Sequence, residues 1–458
     1  MLRQRISNRP QSRNSRRRTH LNQTGLSREI GLLDATMIVV SGVIGGGIFF
    51  TPSAVAGHLP SATWIIAVWL VGALIAYAGA LTFAELVTRF PQAGGHYVYI
   101  REGFGPLWAF LYGWMLLLII ATGALASLAL AFGGYLAAFF PLSVAGQKLV
   151  GVLIIVGFSA LNVVGVKPGA RTTTLLTVIK VAAIVLFIGI GLFMHPRTPP
   201  AAAIALPSSK TMLLGFGAAL VPVLFSYGGW QQLNFLAGEV RAPERRVPLA
   251  LALGVSVVAF VYVGANVVYL RALGPAGMAA STALARDAGV VLFGDFASRA
   301  ITALVAVSIL AFSNVVIMAT PRVFYALAQD GVFLRGLAEL HPRFHTPARA
   351  ILLQGIWAIV LVLIGNIRAL VNGVVFADWI FFGLGAASIF VIRKRDPAKA
   401  AFTVPGYPVV PAFFVLAALV AVASAILSYP KESSIGVGML AIGAALFMFA
   451  NRPKQTRE

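Results

Sequence analysis

The chain contains no cysteine, which excludes disulfides, thiolate metal sites and thiol chemistry. Charge is also scarce: 11% of the 458 residues are charged, whereas soluble domains carry about 25%. Acids are the scarcer sign, 14 against 35 Lys and Arg. The six histidines (His20, His58, His96, His195, His341 and His345) fall in predicted tails and loops without metal-ligand spacing, so no metal is expected. There is no Walker phosphate loop, zinc-protease motif or Gly-x-Ser-x-Gly elbow. That argues against an ATP-driven pump and against the common hydrolases, and neither a cofactor nor an enzymatic activity is expected. No potassium-selective filter sequence appears either, which weakens a channel reading.

What remains is apolar. Hydrophobic residues make up 59% of the chain, and the mean hydropathy is +0.89. Apolar runs of about 20 residues, the length a helix needs to cross hydrocarbon, recur from residue 33 to residue 451. Lipid offers backbone groups no water, so such runs must be helices. The pattern predicts twelve spans, near 33–56, 62–88, 106–138, 147–166, 172–194, 211–238, 247–271, 298–328, 348–365, 368–392, 408–428 and 434–451. The fold class expected is an all-α membrane protein.

Charge placement orients these spans. The formal charge of +21 invites a nucleic-acid reading, but Arg3, Arg5, Arg9, Arg13, Arg16, Arg17, Arg18 and Arg28 crowd a Ser/Asn/Gln-rich tail over residues 1–30. That tail is expected to be disordered and to act as a topology signal rather than a nucleic-acid contact. With the N-terminus inside, the external segments hold only Lys148, Arg197, Lys210, Arg271, Arg286, Arg299, Arg368 and Lys431. Apart from Lys180, which lies within a span, every other Lys and Arg falls on the cytoplasmic side. The positive-inside rule therefore places both termini in the cytoplasm of a multi-pass protein of the cell (inner) membrane, with lipid around it.

Two spans are interrupted by glycine: the first at Ser41-Gly42-Val43-Ile44-Gly45-Gly46-Gly47-Ile48-Phe49, the sixth at Phe225-Ser226-Tyr227-Gly228-Gly229-Trp230. Each glycine costs a helix about 0.8–1 kcal/mol relative to alanine, and unwound backbone survives in a membrane only where it is buried or lines a cavity. The breaks open consecutive blocks of five spans, residues 31–194 and 211–393. An odd number of spans inverts the second block relative to the first, the plan of many secondary carriers. A charged linker running to Pro408 and two further helices (394–451) follow, then a short tail, 452–458. A broken helix exposes free N–H groups on one side and free carbonyls on the other. Together these can hold the carboxylate and ammonium of an α-amino acid.

Four further features bear on chemistry. Lys180 lies nine residues beyond Arg171, about 13 Å into the membrane at 1.5 Å per residue, and reads as an ammonium fixed between helices or as a snorkelling side chain. Asp378 reads as a structural hydrogen-bonding residue, or as a proton acceptor or selector for cationic substrate. Glu85 is expected to pair with Arg89 or to cap backbone. Ser313 and Asn314 either satisfy a neighbouring charge or join helices.

At these residues the chain resembles the amino acid–polyamine–organocation superfamily, close to bacterial L-type amino acid transporters. The resemblance covers about residues 28–428. It rests on Ile44 to Phe49; Phe83-Ala84-Glu85-Leu86 with Arg89-Phe90-Pro91 and Gly94-Gly95; and Phe225 to Trp230 with Leu233-Asn234-Phe235. Pro321-Arg322, Tyr325-Ala326, Gln329-Asp330-Gly331, His341-Pro342 and Val404-Pro405-Gly406-Tyr407-Pro408 complete it.

The resemblance implies a LeuT-type fold, with broken helices 1 and 6, working by alternating access. The substrate site it implies comprises Val43, Gly45, Gly46, Gly47, Ala124, Leu128, Phe225, Ser226, Gly228, Phe376 and Trp379. Gly46 and Gly47 N–H groups would hold the carboxylate, the carbonyls of Val43, Phe225 and Ser226 the ammonium, and Phe225 would gate the site. Lys180 would stand in for sodium, bridging span 5 to spans 1 and 8 near Ser313 and Asn314. The family's usual Gly-Ser-Gly core is Gly-Gly-Gly here, Gln232 stands where several relatives have tyrosine, and Asp378 where some have asparagine. Eukaryotic relatives are disulfide-linked to a glycoprotein subunit, and a chain without cysteine is expected to have no such partner. The expected function is sodium-independent secondary transport of α-amino acids, neutral ones first, by exchange or proton coupling. A cationic amino acid or polyamine carrier is the alternative, and a channel or receptor the remote one.

Overall fold

The computed structural model describes residues 25–196, 209–364, 367–428 and 430–450. The basic N-terminal tail up to residue 24 and the C-terminal tail from 451 lie outside the described residues. In chain order the helices are α1 (Leu32–Val43), α2 (Gly47–His58), α3 (Ala62–Arg89), α4 (His96–Phe104), α5 (Pro106–Leu136) and α6 (Val144–Val164). Next come α7 (Val166–Phe193), α8 (Ser209–Ser226), α9 (Gln232–Phe235), α10 (Pro243–Ala280), α11 (Leu284–Phe293) and α12 (Phe296–Ala319). The series ends with α13 (Pro321–Gln329), α14 (Ala348–Ile364), α15 (Ile367–Arg395), α16 (Val409–Ser428) and α17 (Pro430–Ala450). Strand character among the described residues is confined to one isolated bridge, Ile30 with Val240.

Eight helices among the described residues are long and apolar enough to cross a membrane, and α1 with α2, bent by 41° at their junction, adds a ninth span. Met212–Ser226 and Ala348–Ile364 are shorter apolar helices in the places expected for spans 6 and 9. Several details differ from the sequence expectation. Span 7 extends to 243–280, with Gly274 kinking it at φ 66°. Helices α4 and α11 occupy segments read as loops. In α5 the stretch Leu116–Ile120 is a π-helix, an insertion that apolar periodicity does not reveal.

Burial sorts the helices into centre and periphery. The apolar windows of α3 and α5 are each 61% buried, whereas those of α6 and α17 are 17% buried. Leucine and valine on the outer helices, such as Leu149, Leu153 and Val156, are correspondingly exposed. Without a surrounding apolar phase those faces would lie in water, so the exposure itself requires lipid.

A cluster of charged groups, here termed the basic end, joins the ends of α3 and α15 to the linker that follows α15. Glu85 is fully buried there and accepts from Arg89 at 3.1 Å, from Arg393 and from the Val404 backbone at 2.8 Å. The expected Arg89 partner is present, and the second arginine and the backbone bond tie α3 to α15 and to the linker. Arg393 also lies over the ring of Tyr407 at 3.8 Å from its centroid.

Candidate functional site

The two glycine breaks meet at one internal cavity of about 370 Å³. Its wall includes Gly42, Val43, Gly45, Gly46 and Gly47 from the first break, and Phe225, Ser226, Gly228 and Gly229 from the second. From α5 come Tyr112, Ala124 and Leu128 among others, and from α15 Asp378, Trp379 and Phe382. A volume of this size suits a small ligand.

Chain geometry at the first break leaves donors free. α1 ends at Val43, Gly45 N–H donates to the Val43 carbonyl at 2.8 Å, and α2 restarts at Gly47. The Gly46 and Gly47 N–H groups form no hydrogen bond among the described residues. They stand at the positive end of α2, where an anion is favoured.

The second break presses against the first. Gly229 adopts φ 109°, a conformation that favours glycine. A Cβ at Gly42 would come within 2.5 Å of the Gly229 carbonyl oxygen, so the two backbones cross in contact. Gly229 N–H donates to Gln231 Oε1 at 2.7 Å, and Gly228 N–H to the Phe225 carbonyl at 3.2 Å.

Backbone hydrogen bonds and a buried ion pair tie the segments beyond the two breaks together. Ile30 N–H donates to the Glu239 carbonyl and Arg241 N–H to the Ile30 carbonyl, each at 3.0 Å. Arg322 holds the Glu239 carboxylate through Nε at 2.7 Å and Nη2 at 3.0 Å, both side chains being buried. On the far side of the breaks Phe50 and Phe225 are 46% and 41% exposed. Every buried ion pair among the described residues lies at the basic end.

Residues 30–450 match the amino acid permease family. The chain belongs to the amino acid permease family. The permease is 32% identical to the serine/threonine exchanger SteT of Bacillus subtilis, over 87% of this chain and 92% of that protein. It is 29% identical to the b(0,+)-type amino acid transporter 1 of Mus musculus, over 94% and 89%. Identity to the cystine/glutamate transporter of Homo sapiens is 32%, over 94% and 87%. These relatives are transporters, not enzymes, and the permease is a multi-pass membrane protein that transports amino acids, as the resemblance implied.

Of the residues singled out in the permease sequence, Val43, Gly45, Gly46, Gly47, Ala124, Leu128, Phe225, Ser226, Gly228, Asp378 and Trp379 all line the cavity. The side chain of Phe376 lies outside the described residues. Asp378 is the one charged side chain on the described wall. Phe225, expected as the gate, lines the cavity and is 41% exposed.

Lys180 does not snorkel. It is fully buried, and its Nζ donates to the Ile44 carbonyl at 2.5 Å, with Ser41 Oγ at 3.3 Å and the Ser41 carbonyl at 3.4 Å. The ammonium thus occupies the carbonyls freed where α1 ends. The expected reach to span 8 is absent among the described residues. Asn314 instead donates to the Gly169 carbonyl and Thr173 Oγ1 and accepts from Asn162, each at 2.8 Å, joining α12 to α6 and α7. Ser313 Oγ is buried without a partner among the described residues.

One residue that sequence reasoning missed alters the carbonyl picture. Tyr262 of α10 is fully buried, and its hydroxyl lies 2.9 Å from the Val43 carbonyl and 3.0 Å from the Ser226 carbonyl. A single hydroxyl proton serves one of them at a time. The carbonyls expected to stand free therefore already face a protein group. Gly228, by contrast, has a carbonyl that accepts no hydrogen bond among the described residues. The available signal was a polar-tipped aromatic inside an apolar span, which usually finds a partner when buried.

Proposed function

We propose that this permease is a secondary carrier that moves α-amino acids across the cell membrane by alternating access. Free Gly46 and Gly47 N–H groups facing a cavity that a second broken helix completes carry this reading. An α-carboxylate sits at the start of α2, and the ammonium sits against the carbonyls of the two breaks, with Gly228 the unoccupied one. The side chain lies against Ala124, Leu128 and Trp379. The wall is mostly apolar, which supports neutral substrates. Asp378 supports a second reading, in which the substrate carries a positive side chain.

The architecture proposed is twelve spans: two inverted five-helix repeats, residues 31–194 and 211–393, followed by helices α16 and α17. The basic end is then the cytoplasmic end, with both termini there, and the buried Arg322–Glu239 pair supports reading this as the state open to the outside. Lys180 takes the place of a sodium ion at the end of α1, so transport is sodium-independent and runs by exchange or with protons. With no cysteine, the carrier works without a disulfide-linked subunit.

Proteoliposome uptake tests the proposal. Labelled alanine should enter saturably, without sodium, and faster when unlabelled amino acid is inside. A thermal-shift series across the amino acids and polyamines ranks substrates, because a ligand stabilises by RT ln(1 + [L]/Kd). Linear, non-saturating flux, or stabilisation by polyamines alone, would refute the α-amino acid reading.

A further inference from the structure

His96 begins α4, and its ring is fully buried in a cage of aromatic rings. Phe83 of α3 stacks on it at 4.2 Å between centroids, Phe235 of α9 and Phe382 of α15 lie at 5.6 Å, and Tyr112 of α5 at 5.9 Å. Neither ring nitrogen has a hydrogen-bond partner among the described residues. A buried imidazole with both nitrogens unpaired has lost its hydration with no hydrogen bond to offset it, so the arrangement requires a reason.

Its position supplies one. Phe235, Phe382 and Tyr112 are at once walls of the His96 cage and of the substrate cavity. Phe235 lies on α9, just past the second break, on the side closed by the Arg322–Glu239 contact. The start of α4 abuts α9 directly. Gly94 N–H donates to the Phe235 carbonyl at 3.3 Å, and a Cβ at Gly95 would meet the Phe235 ring at 2.8 Å. Movement of α9 about the break therefore takes one wall off the cage and admits water to the imidazole.

We propose that His96 is a proton site that senses the inner compartment: sealing the inner gate dehydrates it and requires it neutral, so a bound proton holds the carrier open to that side. This rests on the alternating-access reading given above.

The surroundings offer a proton no counter-charge. Glu85 on α3 is engaged by Arg89 and Arg393. Asp330, after α13, is engaged by Tyr97 and Arg101, and Glu102 by Arg101. Asp378 on α15 lies two turns from Gly385, the residue of that helix whose Cβ would touch the imidazole. Tyr99 and Tyr112 are the titratable side chains packed on the ring, while α9 presents Asn234 and α16 presents Phe414 near Phe83. None of these forms a hydrogen bond or ion pair with His96 among the described residues.

Burial pushes the His96 imidazole down from the ordinary histidine range to about 3 in the closed state. Once hydrated in the open state it returns to about 6.5. The closed state is then fully favoured above about pH 6.5 and loses ground as pH falls below it. The fraction of open carriers free to reclose is about nine-tenths at pH 7.5 and about one-tenth at pH 5.5.

The test is exchange of labelled for internal alanine in proteoliposomes clamped at equal pH on both sides. Wild-type exchange is expected to fall about tenfold between about pH 7.5 and about pH 5.5, while His96→Phe, which fills the cage without a basic nitrogen, falls less than about twofold. Should His96→Phe lose its alanine-dependent thermal shift, His96→Gln provides the same contrast with a polar side chain. An equal fall in wild type and variant overturns the proposal. Absence of saturable alanine exchange by wild type at every pH would instead count against the carrier reading itself.

Discussion

Gly42→Ala tests whether the two breaks act as one unit. The added methyl group would sit 2.5 Å from the Gly229 carbonyl oxygen, where ordinary contact begins at 3.4 Å. No rotamer relieves this, since backbone meets backbone, so the crossing must widen by about 0.9 Å; such overpacking costs about 1–3 kcal/mol. The displacement falls next to Val43 and just before the free Gly46 and Gly47 N–H groups, and a misplacement of about 1 Å in a binding constellation can cost about 100-fold. Initial alanine uptake in proteoliposomes is therefore expected to fall about 100-fold, with a modest loss of thermal stability. Gly57→Ala and Gly217→Ala are the controls, because an added Cβ at either meets nothing within 4 Å. Alanine at those helical sites should leave the protein as stable or more so, by up to about 1 kcal/mol. Gly42→Ala uptake within about twofold of these controls would show that the crossing does not position the site.

Lys180→Met removes the ammonium from Ile44 and Ser41 while roughly keeping volume; the orphaned acceptors cost about 1–3 kcal/mol, offset by relief of a buried charge. Thermal stability should change little while uptake is lost, and wild-type uptake by the variant would exclude a transport role for Lys180. Asp378→Asn should weaken arginine inhibition of alanine uptake by about tenfold or more, as expected for a charge-assisted hydrogen bond, and leave the alanine KM nearly unchanged. An equal effect on both would remove selectivity from Asp378. Tyr262→Phe keeps the ring contacts with Trp69 and Tyr227 but removes the hydroxyl that the Val43 and Ser226 carbonyls share. The alanine KM should shift several-fold with the fold intact, and an unchanged KM would make the hydroxyl dispensable to the site.

Much of the site could be read in the sequence, for a physical reason. Three consecutive glycines in an apolar span contradict helix propensity so strongly that Gly45, Gly46 and Gly47 announce a break, and the run Phe225 to Trp230 does the same for its counterpart. Lys180 stood out because an ammonium deep in a span demands acceptors. The partners of these groups were not legible. Nothing in the local sequence says that Gly42 faces Gly229, that Tyr262 reaches both breaks, or that Asn314 turns to Gly169 rather than to Lys180. Each depends on how distant helices pack. Helix α4 was hidden because its nine residues are too short and too polar for a span signal, and His96 therefore looked like a loop residue.

The Lys180 contact carries an energetic consequence. A sodium ion bound at the end of α1 would be released on the other side of the membrane and would deliver the free energy of its gradient once per cycle. Under the proposed reading, an ammonium tethered to α7 returns with the protein to where it began, so no sodium gradient does work at that position. Whatever drives uphill movement of one amino acid must come from another species that crosses, and for an exchanger that species is the amino acid pool on the far side. Such a carrier redistributes the composition of that pool without enlarging it.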